Sequence, residues 1–189
     1  MLVSHIHYDH LDPPSLRRLG VEVPVVVPRG ARRAVRGFKD VREVDVGDEV
    51  SFGAVTVRAT PAVHDGGRLL LRSVASLGYV ISGSRRIYFA GDTDLFDGMA
   101  TLAESLDVVL LPVAGWGSKV GPGHLDPERA ARALRLLEPR LAVPIHWGTF
   151  STPRRAASGE PAERFRRLAA ELAPGVDVRV LEPGGALTF

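Results

Sequence analysis

The chain opens on a run of histidines and an aspartate that a regular helix or strand cannot present together. Half of the six histidines fall in the short segment His5-Ile6-His7-Tyr8-Asp9-His10. A stable helix or strand would spread these side chains over different faces. The run H-x-H-x-D-H therefore predicts a turn that gathers imidazole and carboxylate groups. Such groups suit divalent ions such as zinc, manganese or iron, which also need donors from other parts of the chain.

Further donors of the same kind follow along the chain, each just after an apolar run or in a glycine-rich loop. They are His64, Asp92, His124 and His146. Loops that leave the edge of a sheet commonly carry functional side chains. Taken alone, any one of these histidines is more simply a surface group or a satisfied core group. As a set with no histidine left over, they predict a metal site.

Length and composition favour one domain over residues 1–189. The chain is 45% hydrophobic, which is enough to bury a sizeable core. It has no cysteine, so disulfides and thiolate ligands are excluded and the site must use histidine and carboxylate. No apolar stretch approaches a membrane span, and no signal segment precedes the first motif. We therefore expect a cytoplasmic protein without a transmembrane segment.

The charge distribution does not favour nucleic-acid binding. There are 24 basic and 22 acidic residues, and arginine pairs such as Arg32-Arg33 and Arg154-Arg155 are spread along the chain. Such pairs can bind phosphate, but a solvated helix face is the preferred interpretation. With only 6% aromatic residues, the chain lacks the basic stripe with interleaved aromatics that is typical of nucleic-acid binders.

Local patterns predict strands first, then alternating helices and strands. Asp12 is expected to cap a short helix that reaches Leu19, and Asp126 to cap a helix rather than take part in chemistry. The expected helices are a short one ending at Phe38 and those at 95–104, 127–137 and 162–172. The expected strands are 23–27, 49–52, 54–59, 75–82, 85–90, 107–111, 141–145, 176–181 and 186–189. This order predicts an α/β sandwich with helices outside. The glycine-rich segment 115–123 is expected to cover the site, the alternative being an ordinary connection.

These residues, in this order, resemble the metallo-β-lactamase fold superfamily of αββα hydrolases over essentially the whole chain. The resemblance implies one metal ion bound by His5, His7 and His64. It implies a second ion bound by Asp9, His10 and His146, with Asp92 bridging the two. Zinc is the expected metal, and manganese or iron are the alternatives.

Three segments narrow the resemblance to one branch of the superfamily. Residues 90–93, 124–128 and 146–150 are similar to the branch that includes N-acylphosphatidylethanolamine-hydrolysing phospholipase D and the L-ascorbate 6-phosphate lactonases. Antibiotic-cleaving lactamases match less well, because the bridging Asp92 is not part of their pattern.

The beginning of the chain departs from the family pattern. Family members usually place two or more strands before the H-x-H-x-D-H turn, whereas Met1 lies only four positions before His5. The expected fold is therefore α/β (α+β), a four-layer αββα sandwich that lacks its N-terminal strands. Such a version is expected to be a fragment or the product of a misassigned start, with an unpaired sheet edge.

The resemblance implies hydrolysis of an ester, lactone or phosphodiester in a small-molecule or lipid-like substrate. Two divalent ions can share a water and hold it as a bridging hydroxide that attacks a carbonyl carbon or phosphorus. His124, the histidine not used as a ligand, is the candidate acid for the leaving group, or else it orients a ligand. Arg68, Arg72 and Lys119 are candidate phosphate partners, although substrate-binding residues are not identified. The alternative function is a truncated, catalytically impaired relative that binds metal.

Overall fold

The computed structural model describes residues 1–65, 74–102, 105–114, 120–149 and 158–189. A two-stranded parallel sheet contains β1 (Val25–Pro28) and β2 (Val41–Val44). A seven-stranded sheet contains, in spatial order, β3 (Glu49–Phe52), β4 (Val55–Pro61), β5 (Leu77–Ser82), β6 (Arg86–Phe89), β7 (Val108–Pro112), β8 (Leu141–Ile145) and β9 (Asp177–Val178). The helices are α1 (Pro13–Arg18), α2 (Pro127–Leu137) and α3 (Glu160–Leu172), with 3-10 helices at Arg32–Val35 and Asp97–Thr101.

The directions of the strands bring several loops to one edge of the large sheet. Strands β3 to β6 pair antiparallel, and β6 to β9 pair parallel. Because β5 runs against both β4 and β6, β4 points the same way as β6, β7 and β8. The carboxyl ends of these four strands therefore lie at the same edge, where α/β sheets commonly carry their functional loops.

The layers follow from the alternation of side chains along each strand. In β1, Val25 and Val27 pack with Ile6 on the side of α1 and the first 3-10 helix, whereas Val26 packs toward the large sheet. The opposite face of the large sheet packs against α2 and α3, with Phe165 fully buried. The order is helix, sheet, sheet, helix, which confirms the predicted α/β sandwich.

Helix capping was predicted correctly. The Ser15 backbone N–H donates to Asp12 Oδ2 at 3.0 Å, and α1 begins at the next residue after Asp12. The Arg129 backbone N–H donates to Asp126 Oδ1 at 2.8 Å, and α2 spans the predicted residues. Asp126 is thus the N-cap of α2, as expected for a short acidic side chain before proline.

Other local predictions were wrong. Between Gly30 and Gly37, whose φ angles are +90° and +95°, only the four-residue 3-10 helix forms instead of a helix reaching Phe38. Of the helix expected at 95–104, the described residues form only the second 3-10 helix. Residues 186–189 form no strand, since Pro183 and the Gly184 turn come directly before them. The described residues include no helix long and apolar enough to cross a membrane.

Candidate metal centre

The predicted donors meet at the edge where β4, β6 and β8 end. His64, Asp92 and His146 lie in the loops that follow these three strands. The turn of residues 5–10 approaches from the side of the small sheet. It is held there because the Val3 N–H donates to the Val26 carbonyl at 3.0 Å and the Leu77 N–H to the Ser4 carbonyl at 2.8 Å.

A close backbone approach places Asp92 beside the opening turn. Gly91 has a φ of +61°, and a Cβ on it would lie 2.5 Å from Ser4 Cβ and 2.9 Å from the Leu77 carbonyl oxygen. Only glycine fits this position without a shift of its neighbours. The contact brings the residue after Gly91, which is Asp92, next to the residue after Ser4, which is His5.

The first donor set consists of three imidazoles. His7 Nδ1 lies 3.0 Å from His5 Nε2 and 3.3 Å from His64 Nε2. These three nitrogens all lie within 4.8 Å of one another, as the ligands of a single ion must. His5 is fully buried, so its ring has a fixed environment.

The second donor set combines two imidazoles with a carboxylate. His10 Nε2 lies 3.2 Å from His146 Nε2. Asp9 Oδ2 lies 3.5 Å from the His146 nitrogen and 3.7 Å from the His10 nitrogen. His146 has a φ of +62°. Few residues with a side chain adopt this left-handed conformation, and those that do are concentrated at functional sites.

Asp92 lies between the two sets. Its Oδ2 is 3.1 Å from His10 Nε2 and 3.6 Å from His146 Nε2, and the carboxylate also groups with His5 and with His64. Its Oδ1 is buried and has no hydrogen-bond partner among the described residues. A buried carboxylate oxygen without a partner is costly. A cation would satisfy it, so the position fits a metal ion.

Backbone carbonyls fix the direction of two donors. His64 Nδ1 lies 2.8 Å from the Gly123 carbonyl and His146 Nδ1 lies 2.6 Å from the Ala114 carbonyl. Since a carbonyl only accepts, each Nδ1 carries the proton. In the neutral ring, the lone pair is then on Nε2, which faces the other donors, as in metal-binding histidines.

The pKa values of His5, His64 and Asp92 suit metal binding, whereas that of His146 opposes it. Burial lowers the pKa of His5 to about 2 and the pKa of His64 below its usual value. Burial alone would raise the pKa of Asp92, but the His10 hydrogen bond and the neighbouring histidines lower it to about 2. Burial would lower the pKa of His146, whereas the hydrogen bond to Asp9 and the charge of Asp92 raise it to about 9. An ion bound at His146 must therefore displace a proton.

His124 lies on the open side of this cluster. Its Nδ1 is 3.2 Å from the Pro122 carbonyl, and its Nε2 is 3.7 Å from Asp92 Oδ2. Its ring packs edge-on against His64 with the centroids 4.5 Å apart. The position is compatible with both roles expected from the sequence, proton donor and partner of a ligand.

Some predicted residues cannot be placed. Arg68, Arg72 and Lys119 lie outside the described residues, as does the first part of the segment 115–123. Conversely, Asp94 and Arg129 were not predicted from the sequence, although their side chains join the loops around His124. The available signal was Asp94 itself, an acidic side chain two residues after Asp92.

Comparison with known proteins agrees with this fold and donor set. A family model described as a beta-lactamase superfamily domain matches residues 1–147. The chain therefore belongs to the β-lactamase superfamily, within its group of UPF0173 metal-dependent hydrolases, as two relatives indicate.

The first relative is a UPF0173 metal-dependent hydrolase of Methanopyrus kandleri, 32% identical over 97% of this chain and 79% of the relative. A protein of the same name from Deinococcus radiodurans is 33% identical over 97% of this chain and 77% of the relative. Among solved structures, a metallo hydrolase of the archaeon Ignicoccus hospitalis superposes with a TM-score of 0.78 at 26% identity. That match covers 100% of this chain and 78% of the other.

Proposed function

We propose that the chain is a dinuclear metal-dependent hydrolase. In this proposal His5, His7 and His64 hold one ion, Asp9, His10 and His146 hold the other, and Asp92 contacts both. The observation that carries the proposal is the buried Asp92 carboxylate, which lies between two sets of donors and has one oxygen without a hydrogen-bond partner among the described residues. Zinc is the proposed metal, with manganese or iron as alternatives.

When bound, two such ions lower the pKa of a water molecule toward neutrality and stabilise the negative charge that develops on the substrate. Residues of the chain supply the charge, the ligand orientation and the proton donor that this chemistry needs. Asp92 is ionised at neutral pH and supplies negative charge between the two donor sets. The carbonyls of Gly123 and Ala114 hold the ligand nitrogens of His64 and His146 in place. His124, in its protonated form, can deliver a proton from Nε2 to a leaving group.

The proposed substrates are esters, lactones or phosphodiesters of small or lipid-like molecules, as in the branch that includes N-acylphosphatidylethanolamine phospholipase D and L-ascorbate 6-phosphate lactonase. Two apolar side chains beside the donors support a partly apolar substrate. Tyr8 is 65% exposed and Val63 is 47% exposed, each next to a donor residue in the chain. Binding sites for small molecules usually combine such apolar surface with a few polar groups.

The alternative function is a relative that binds metal but does not turn over substrate. It predicts the same metal content, so metal analysis does not separate the two. A measurement of substrate turnover does separate the two functions, provided that the loss of turnover in a variant is caused by the change at the site.

The test compares the metal-reconstituted protein with Asp92→Asn and with Asp97→Asn, a matched change at an exposed aspartate. The substrates are bis-para-nitrophenyl phosphate, para-nitrophenyl acetate and an aliphatic lactone. Asp92→Asn is expected to lower turnover by on the order of 10²-fold or more, since a preorganised charge is lost from the site. Asp97→Asn is expected to match the wild type. Equal activity of all three proteins, or no turnover by a metal-loaded wild type, contradicts the proposal.

A further inference from the structure

The carboxylate of Asp94, two residues after Asp92, lies at the centre of a set of contacts next to His124. The Asp94 carboxylate accepts from Arg129 Nη1 at 3.2 and 3.3 Å and from the Gly123 backbone N–H at 3.3 Å. It also accepts from the Leu95 N–H at 2.8 Å. These contacts join the loop after β6 to the segment that leads into α2.

Arg129 extends the same set of contacts to His124. It lies in the first turn of α2, and its Nη1 also donates to the His124 carbonyl at 3.2 Å. One guanidinium nitrogen thus contacts the Asp94 side chain and the backbone of His124. Charge-assisted hydrogen bonds of this kind hold their partners more firmly than neutral ones.

Gly123 is fixed from both sides. Its N–H faces Asp94, and its carbonyl accepts from His64 Nδ1 at 2.8 Å. Its φ is +80°, and a Cβ on it would lie 3.2 Å from both Cα and Nδ1 of His64. The turn formed by Pro122, Gly123 and His124 is therefore packed against a donor residue and tied to Asp94.

We propose that Asp94 and Arg129 are positioning residues that clamp the Pro122–His124 turn and so set the distance between His124 Nε2 and Asp92. The catalytic consequence rests on the proposed function, whereas the clamp itself does not. A second ion pair on α2 shows the contrast. Arg132 binds Glu128 at 2.6 Å, with the side chains 58% and 48% exposed against 42% and 24% for Arg129 and Asp94. Among the described residues, Arg132 donates a side-chain hydrogen bond only to that partner on the same helix. An exposed pair of that kind contributes little.

The clamp is tested first without any activity measurement. Arg129→Met removes the cation, and Arg132→Met on the same helix is the matched control. Hydrogen exchange of the Gly123 amide, followed by NMR in the metal-free and the zinc-loaded protein, is expected to be about fivefold faster in Arg129→Met, the scale of one lost hydrogen bond. The exchange in Arg132→Met is expected to equal that of the wild type. Asp94→Asn, which is similar in size but cannot pair with the cation, is expected to accelerate the same amide and serves if Arg129→Met does not fold.

The second measurement is turnover of aryl and alkyl esters by the zinc-loaded variants. If the clamp acts through His124, Arg129→Met lowers turnover of the alkyl ester more than that of the nitrophenyl ester. The same change made in a His124→Ala background has no further effect. A merely structural role would lower both activities equally and would add to the His124 loss.

The two proposals fail in different ways. Unchanged Gly123 exchange in both Arg129→Met and Asp94→Asn overturns the clamp, even if the enzyme is active. Faster exchange together with a wild type that hydrolyses nothing supports the clamp and counts against the hydrolase. Additive losses of activity in the double variant overturn the part of the proposal that concerns His124.

Discussion

At the scale of single residues, the site depends on contacts that side-chain types alone do not reveal. Five histidines with Asp9 and Asp92 could be predicted from the sequence as candidate donors, and His124 as the candidate acid, because their chemistry is specific. The orientation of His64 and His146 could not be predicted, since it comes from the carbonyls of Gly123 and Ala114. Every residue but the last has a backbone carbonyl, so no residue type marks which of them will accept from an imidazole.

His124 gives the sharpest prediction at this scale. If it donates the proton to the leaving group, His124→Ala is expected to lower turnover of alkyl esters by roughly 10²–10⁴-fold. The loss is expected to shrink for nitrophenyl esters, because nitrophenolate leaves without a proton. Steady-state kinetics with both ester types and elemental analysis of the variant provide the check.

Two results would contradict this role for His124. An equal loss for both ester types would show that no proton transfer depends on the side chain. Loss of bound metal would instead make His124 a ligand, which its grouping with His64 and Asp92 also permits.

At the scale of secondary structure, the predictions succeeded where local signals and tertiary packing agree. α2 was predicted over its full length because Asp126 and Pro127 mark its start and its buried residues repeat at helical spacing. β2 was missed, since its interior residues are Arg42 and Glu43 and it forms by parallel pairing with β1, the preceding strand. A strand that owes its existence to pairing leaves little signal in its own residues.

The junction between β6 and the metal centre permits a direct test of the close packing at Gly91. Gly91 and Gly53 share a φ of +61°, but a Cβ on Gly53 meets nothing within 4 Å. Gly53→Ala is therefore expected to cost only the backbone strain, about 1 kcal/mol. Gly91→Ala adds a clash with Ser4 and Leu77, so its free energy of unfolding is expected to fall by several times that amount, roughly 3 kcal/mol or more.

Urea unfolding of both glycine variants measures the difference. The comparison isolates packing, because the backbone strain is common to the two positions. Equal losses of stability would mean that the opening turn moves freely relative to Gly91. In that case the contact does not position Asp92 beside His5.

At the scale of the whole molecule, the fold class followed from the order of helices and strands, but the meeting of the donors followed from strand direction. His64 and His146 are far apart in sequence and come together because β4, β6, β7 and β8 end at one edge. The family resemblance supplied this arrangement, whereas periodicity alone does not give strand order. The expectation that N-terminal strands are missing stays a prediction.

The final prediction concerns metal content and stability together. Two donor sets in one folded structure imply about two divalent ions per chain, and the unfolded chain has no preformed site. At a hundredfold excess of free ion over the dissociation constant, each bound ion contributes about 2.7 kcal/mol, which for a chain of this size raises the melting temperature by roughly 5–10 °C per ion. Elemental analysis and thermal unfolding before and after chelation measure both effects. His64→Ala and His146→Ala each remove a donor from a different set, so each is expected to retain about one ion and part of the stabilisation. Two results would contradict two separate sites joined by Asp92. One is a wild type that retains a single ion, and the other is a loss of all bound metal in either His64→Ala or His146→Ala.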